Sequence, residues 1–222
     1  MKTSIATALF LFAAFSGTCQ SPEFVGKYDY PEVGVSLTVP SGSFGRDQIT
    51  FSNQQAGFAS NGFEAFVGYQ IKFKKVPLGW YLSLSYAQMK NERFESPNGT
   101  TTKNGHYIFI GFINGLTFQT NTGRFDIYAR ALIAPAYIAG SRAKITLNDG
   151  TRIENFLPAV VGLGRGGEMG FVFSNRIRLG LSFITYGNVP LREERIVSSS
   201  FQRVRQPIAY WRLSLVYTWK KH

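Results

Sequence analysis

From Phe63 to Phe73 every odd-numbered residue is apolar or aromatic, and the same alternation returns from Trp211 to Trp219. Successive side chains of a strand point to opposite faces, so a two-residue period marks a strand with one apolar and one polar side. Apolar sets that end in aromatic residues suit a bilayer, where rings settle at the two boundaries. The pattern predicts about eight strands, near 32–40, 61–75, 78–91, 104–120, 123–138, 156–173, 175–187 and 207–219. No apolar segment approaches the roughly 18 uninterrupted residues that a membrane helix requires. A strand-built chain that enters hydrocarbon has to close into a barrel, because an open edge leaves backbone groups unpaired.

The connections alternate in length. Val76-Pro-Leu-Gly79, Asn121-Thr-Gly123 and Ser174-Asn175 have the composition of tight turns. The segments 41–60, 92–103, 139–155 and 188–206 are longer and rich in Gly, Ser, Asn, Thr and charge. An even strand number brings both mature termini to the side of the short turns, expected to be periplasmic, with the long loops outside. Parity then assigns the faces. Outward lie Val33, Val35, Leu37 and Val39; Trp80 to Tyr86 in steps of two; Ile108, Ile110 and Phe112; Phe125, Ile127, Ala129 and Ile133; Ile177 to Phe183; and Trp211 to Trp219. Inward, a lumen network is expected from Glu64, Gln70, Lys72, Asp126, Arg130, Glu168, Arg178 and Arg212, with Tyr128 beside them. Charges of both signs held in so narrow a space pair, since an isolated buried charge costs several kcal/mol, and they plug an eight-strand barrel.

Composition refines this picture at the N-terminus and in the loops. Lys2, the apolar run Ala8–Phe15 and the small residues Ser16-Gly-Thr-Cys19 read as a secretory signal peptide, residues 1–19, leaving 20–222 as one barrel domain. Cleavage after Cys19 removes the only cysteine; cleavage before it, giving a lipid-anchored protein, is the rival reading, and neither permits an internal disulfide. The net charge of +11 would suit nucleic acid, yet the chain is exported and has no nucleic-acid motif, so no such partner is expected. Much of that charge lies in Lys90, Arg93, Arg142, Lys144, Arg192, Arg195, Arg203 and Arg205. Basic loops suit anionic head groups or lipopolysaccharide phosphates, and equally suit simple solubility.

Motifs for chemistry are sparse. Gly162-Leu-Gly-Arg-Gly-Gly167 has the glycine spacing of a dinucleotide loop, but a strand pattern follows where a helix is required. Gly162, Gly164, Gly166 and Gly170 are expected instead to make room for bulky lumen neighbours or to allow sharp coiling of a strand in a narrow barrel. Arg165 then falls on the lipid side, which calls for a bulge near Gly166-Gly167 or a place close to the interface. The only histidines are His106, near the outer rim, and His222; with no serine adjacent to His106, a solvated rim residue is favoured over a catalytic base. No metal or cofactor is expected. Asn98-Gly-Thr100 reads as a loop turn, and Phe44, Phe51, Phe58, Phe94 and Phe201 as loop aromatics that contact a partner, or else pack against the rim or sit in lipid head groups.

Taken together, these features resemble the small eight-stranded outer-membrane barrels of Gram-negative bacteria, the OmpA-transmembrane-like or OmpX-like class, and in particular the outer membrane protein beta-barrel family of the Bacteroidota. The resemblance spans nearly the whole mature chain and rests on pattern. It implies an all-β, antiparallel up-and-down transmembrane barrel in the bacterial outer membrane. It also implies recognition of the last strand, Tyr210-Trp-Arg-Leu-Ser-Leu-Val-Tyr-Thr-Trp219, by the barrel-assembly machinery, although here Lys220-Lys-His222 follow the last aromatic. The expected role is non-enzymatic: structural, or in surface interaction or assembly, with the outer loops contacting lipopolysaccharide or a protein partner. The alternatives are a barrel enzyme acting on outer-leaflet lipid through His106, a small-solute pore, and a soluble barrel with its faces inverted around a ligand.

Overall fold

The computed structural model describes residues 29–45, 59–73, 76–91, 105–120, 125–140, 143–146, 152–156, 159–174, 176–195 and 201–219. The proposed signal peptide, Cys19, Arg93, Asn98, Arg142, His222 and Phe51, Phe58 and Phe94 lie outside them. Ten strands follow in chain order: β1 (Asp29–Pro40), β2 (Ala59–Lys72), β3 (Leu78–Asn91), β4 (Gly105–Gln119), β5 (Phe125–Ala139), β6 (Ala143–Thr146), β7 (Arg152–Phe156), β8 (Val160–Phe173), β9 (Ile177–Arg195) and β10 (Phe201–Thr218).

Eight of them close a barrel. The antiparallel order is β1-β2-β3-β4-β5-β8-β9-β10, and β10 pairs back onto β1 from Glu32↔Thr218 to Pro40↔Tyr210. Closure leaves no exposed edge within the cylinder, the condition for satisfying the backbone in hydrocarbon. The short connections bind themselves shut: the Phe73 amide donates to Leu78 O at 2.9 Å, the Ile127 amide to the Thr120 hydroxyl at 2.9 Å, and the Arg176 amide to Phe173 O at 3.0 Å. Ser174 takes the left-handed backbone of the last turn, at φ 50°.

The remaining two strands depart from expectation. Segments 139–155 and 188–206 are not plain loops: β6 and β7 form a hairpin, β7 pairs with the far end of β9, and β9 and β10 continue past the barrel as strands of 19 and 18 residues. Outside a bilayer a strand needs no apolar face, so the alternation that marks the barrel fades here. Charges replace it: the register sets Glu154 opposite Arg195, Glu193 opposite Arg203 and Lys144 opposite Glu154. Two register shifts bend this extension, and Gly187, at φ 63°, sits at the lower one.

Facing follows the parity. Val35, Leu37, Phe63, Val67, Leu84, Ile110, Ile127, Ile133, Leu181, Leu213, Leu215 and Tyr217 are exposed on the outer wall, while their sequence neighbours are buried. Phe125 and Phe171 stack at 5.2 Å, and Tyr217 meets Trp219 edge-on at 5.5 Å, near the short-turn end.

Candidate functional site

The lumen holds an alternating chain of ions. From β1, Glu32 accepts from Arg178 of β9 at 2.6 Å and lies 3.6 Å from Arg130 of β5. Arg130 reaches Glu168 of β8 at 3.3 Å, and the other oxygen of Glu168 accepts from Arg212 of β10 at 3.2 Å. Arg212 ends the chain on Glu64 of β2, donating to both carboxylate oxygens at 3.0 and 3.1 Å. Three arginines and three glutamates thus compensate one another inside, and all six are almost wholly buried. The charge excess of the chain therefore resides elsewhere.

Further polar groups complete the network. Tyr128 donates to Glu168 at 2.6 Å, Arg212 to the Ser182 hydroxyl at 2.8 Å, and Arg130 to Gln70 at 3.2 Å. Gln70 in turn meets Gln119 at 3.4 Å, which donates to Asp126 at 3.1 Å. The Arg130 guanidinium lies 3.7 Å from the Tyr81 ring centre, a cation–π contact between buried groups. Lys72 lies half-buried at the short-turn mouth, its ammonium 5.5 Å from the Tyr30 ring, apart from the six-ion chain. Glu32, Tyr81, Gln119 and Ser182 escaped the sequence reading. Glu32 carried a usable signal, an even position one residue before the outward Val33.

Above the ions the lumen changes character. The inner face was expected to be polar throughout; instead Phe44, Tyr107, Phe109, Ile113, Ile138, Ile184, Tyr186, Ile208 and Tyr210 form one buried cluster. Both faces of β4 are apolar, so placing Ile108, Ile110 and Phe112 outward, as the structure does, leaves an inner side that is not polar. Phe44 also corrects the choice offered for loop aromatics. After β1, Gly42 turns the backbone with φ 61°, and a 3₁₀ turn at Gly42–Gly45 drops Phe44 into the mouth, fully buried, 5.0 Å from the Tyr107 ring.

The glycine-rich segment belongs to this layer. A Cβ at Gly164 would stand 2.8 Å from the Tyr186 ring, and one at Gly162 would stand 3.1 Å from it, so the bare backbone seats that ring. The bulge suggested near Gly166-Gly167 is absent from the β5–β8 ladder, which runs unbroken from Ile138↔Val160 to Phe125↔Phe173. Arg165 faces out. His106 is likewise exposed on the outer wall at the start of β4, opposite Lys90.

Of the expected loop cations, Lys144 lies on β6, Arg192 and Arg195 on β9, and Arg203 and Arg205 on β10, all in the extension beyond the barrel. Eight closed strands, an apolar wall and a polar, side-chain-filled lower lumen decide the architecture. The fold is that of a small outer-membrane β-barrel. Solved barrels of this kind are similar to it. Neisserial surface protein A shares 12% identity at a TM-score of 0.49, covering 87% of this chain and 97% of its own. OprG from Pseudomonas aeruginosa shares 12% at 0.49, covering 87% and 96%, and Ail of Yersinia pestis shares 15% at 0.44, covering 86% and 97%. No family model matches the chain, so the narrower Bacteroidota resemblance gains no support, and no curated protein matches either.

Proposed function

We propose that this protein is a non-enzymatic outer-membrane barrel whose sealed cylinder anchors a basic, strand-built extension at the cell surface, where it binds a polyanionic partner. The observation that carries the reading is the extension itself. β6, β7 and the outer parts of β9 and β10 bear Lys144, Arg152, Arg192, Arg195, Arg203 and Arg205 against Glu154, Glu193 and Glu194, six cations to three carboxylates. An excess of cations concentrated in one strand-built segment suits a polyanion. Partners of that chemistry include lipopolysaccharide phosphates and sulfated glycans; Ail, one of the similar barrels, was solved with the heparin analogue sucrose octasulfate.

Retention of the purified barrel on immobilised heparin tests this. Wild type should elute at distinctly higher salt than a variant carrying Arg192→Ser, Arg195→Ser, Arg203→Ser and Arg205→Ser. Coincident elution would reject the reading. The non-enzymatic part is supported at His106, whose cross-strand neighbour is the cation Lys90 and not an acid that would orient a base. A His106→Asn strain is expected to make lipid A of unchanged mass; altered lipid A would favour the lipid-modifying alternative.

A further inference from the structure

Outward positions between the two rims are apolar with three exceptions. Asn61, Gln88, Lys90 and His106 begin a polar collar near the outer rim, but Asn114, Arg165 and Thr185 lie lower, among Leu, Ile, Phe and Trp. The register joins the three into one row across the wall, Asn114↔Ile133, Ile133↔Arg165 and Arg165↔Thr185. All three line a single groove of about 470 Å³ on the barrel exterior, with Trp80, Leu116 and Phe183 along it. Thr185 is occupied locally, since its hydroxyl donates to Ile208 O at 3.3 Å and accepts from the Gly187 amide at 3.3 Å. Among the described residues, Asn114 and Arg165 have no side-chain hydrogen-bond or ion-pair partner, and no outward barrel position with a described side chain carries Asp or Glu.

Depth determines what such a cation meets. Arg165 lies eight residues above Phe173 along β8. At about 3.3 Å per residue and a tilt near 40°, that is roughly 20 Å above the inner boundary of a hydrocarbon band about 25 Å tall. An arginine there stands just inside the outer boundary, and its flexible stem carries the guanidinium up to the level of lipid phosphates. Asn114 lies two strand spacings away, about 10 Å along the descending row and so roughly 6 Å lower, near the middle of the hydrocarbon band among the acyl chains.

We propose that this groove is a binding site for one phosphorylated lipid of the outer leaflet, with its phosphate on Arg165 and its chains along Trp80, Leu116 and Phe183. Charge complementarity selects the occupant: a fixed cation without a protein counter-ion, at the depth where the bilayer supplies anions. The inference deepens the proposed function, because it requires that the apolar wall face lipid.

Native mass spectrometry of the detergent-solubilised protein, titrated with phosphatidic acid, tests it. Wild type should retain one lipid at about tenfold lower concentration than Arg165→Leu, the effect of one charge-assisted contact. Diacylglycerol with the same chains should not be retained, Lys90→Gln should match wild type, and inorganic phosphate at equal concentration should not displace the lipid. Equal retention by Arg165→Leu would overturn the proposal. So would an equal loss in Lys90→Gln, meaning unspecific attraction, or displacement by inorganic phosphate, meaning an ion site only. Tryptophan quenching by bromine-labelled lipid in the same preparations separates the two levels. Quenching without an Arg165 effect sinks the site alone, and absent quenching sinks the membrane reading beneath it.

Discussion

Arg212 binds two carboxylates and a serine hydroxyl while almost wholly buried, so its removal leaves Glu64 without a cation and Glu168 with one fewer. Arg212→Leu should destabilise the barrel by about 3–5 kcal/mol in urea unfolding from lipid vesicles, the range for breaking a buried pair from one side. Glu64→Gln added to it should cost less than the sum of the single changes, because the stranded carboxylate is then gone. A loss below 1 kcal/mol in the single variant would show that water, not Arg212, compensates these acids. Gly164 offers a steric counterpart: Gly164→Val should expel the Tyr186 ring and lower stability by about 1–3 kcal/mol, whereas Leu163→Val, exposed on the outer wall, should change it little. Most of the six ions were legible from charge and parity. Glu32 is harder to read, because it stands at the start of its strand, before the alternating apolar set that begins at Val33.

At the scale of elements, the fold separates a membrane part from an aqueous one. The barrel strands show themselves in sequence because lipid demands an unbroken apolar face. The outer ends of β9 and β10, with β6 and β7, hide because their sequence carries charged residues in place of that alternating apolar set. Joining Arg192 to Val204 by Asn-Gly shortens the extension above the upper register shift and deletes Arg195 and Arg203 together with Glu193 and Glu194, leaving the net charge unchanged. Unfolding free energy should change by no more than about 1 kcal/mol, since loops and hairpins outside the core tolerate length changes. Collapse of the barrel on this deletion would make the extension part of the core. Phe44 carries the opposite expectation: Phe44→Ala removes a fully buried ring that seals the mouth and should cost about 3–5 kcal/mol.

The whole molecule is a cylinder closed twice, by ions toward the short turns and by aromatic rings toward the long connections. In planar bilayers it should therefore give no steady conductance, and a stable open level would contradict both seals. Closure and strand order were readable from the number and alternation of segments. The apolar upper lumen was not, because Tyr107, Phe109 and Ile113 alternate with Ile108, Ile110 and Phe112, and such a run looks alike from either side. Which face meets hydrocarbon is reported directly by the three tryptophans of the chain: Trp80, Trp211 and Trp219 all stand on the outer wall. In vesicles with brominated acyl chains their fluorescence should be strongly quenched relative to unlabelled lipid. Undiminished emission from the folded protein would mean that the apolar face is turned away from the bilayer.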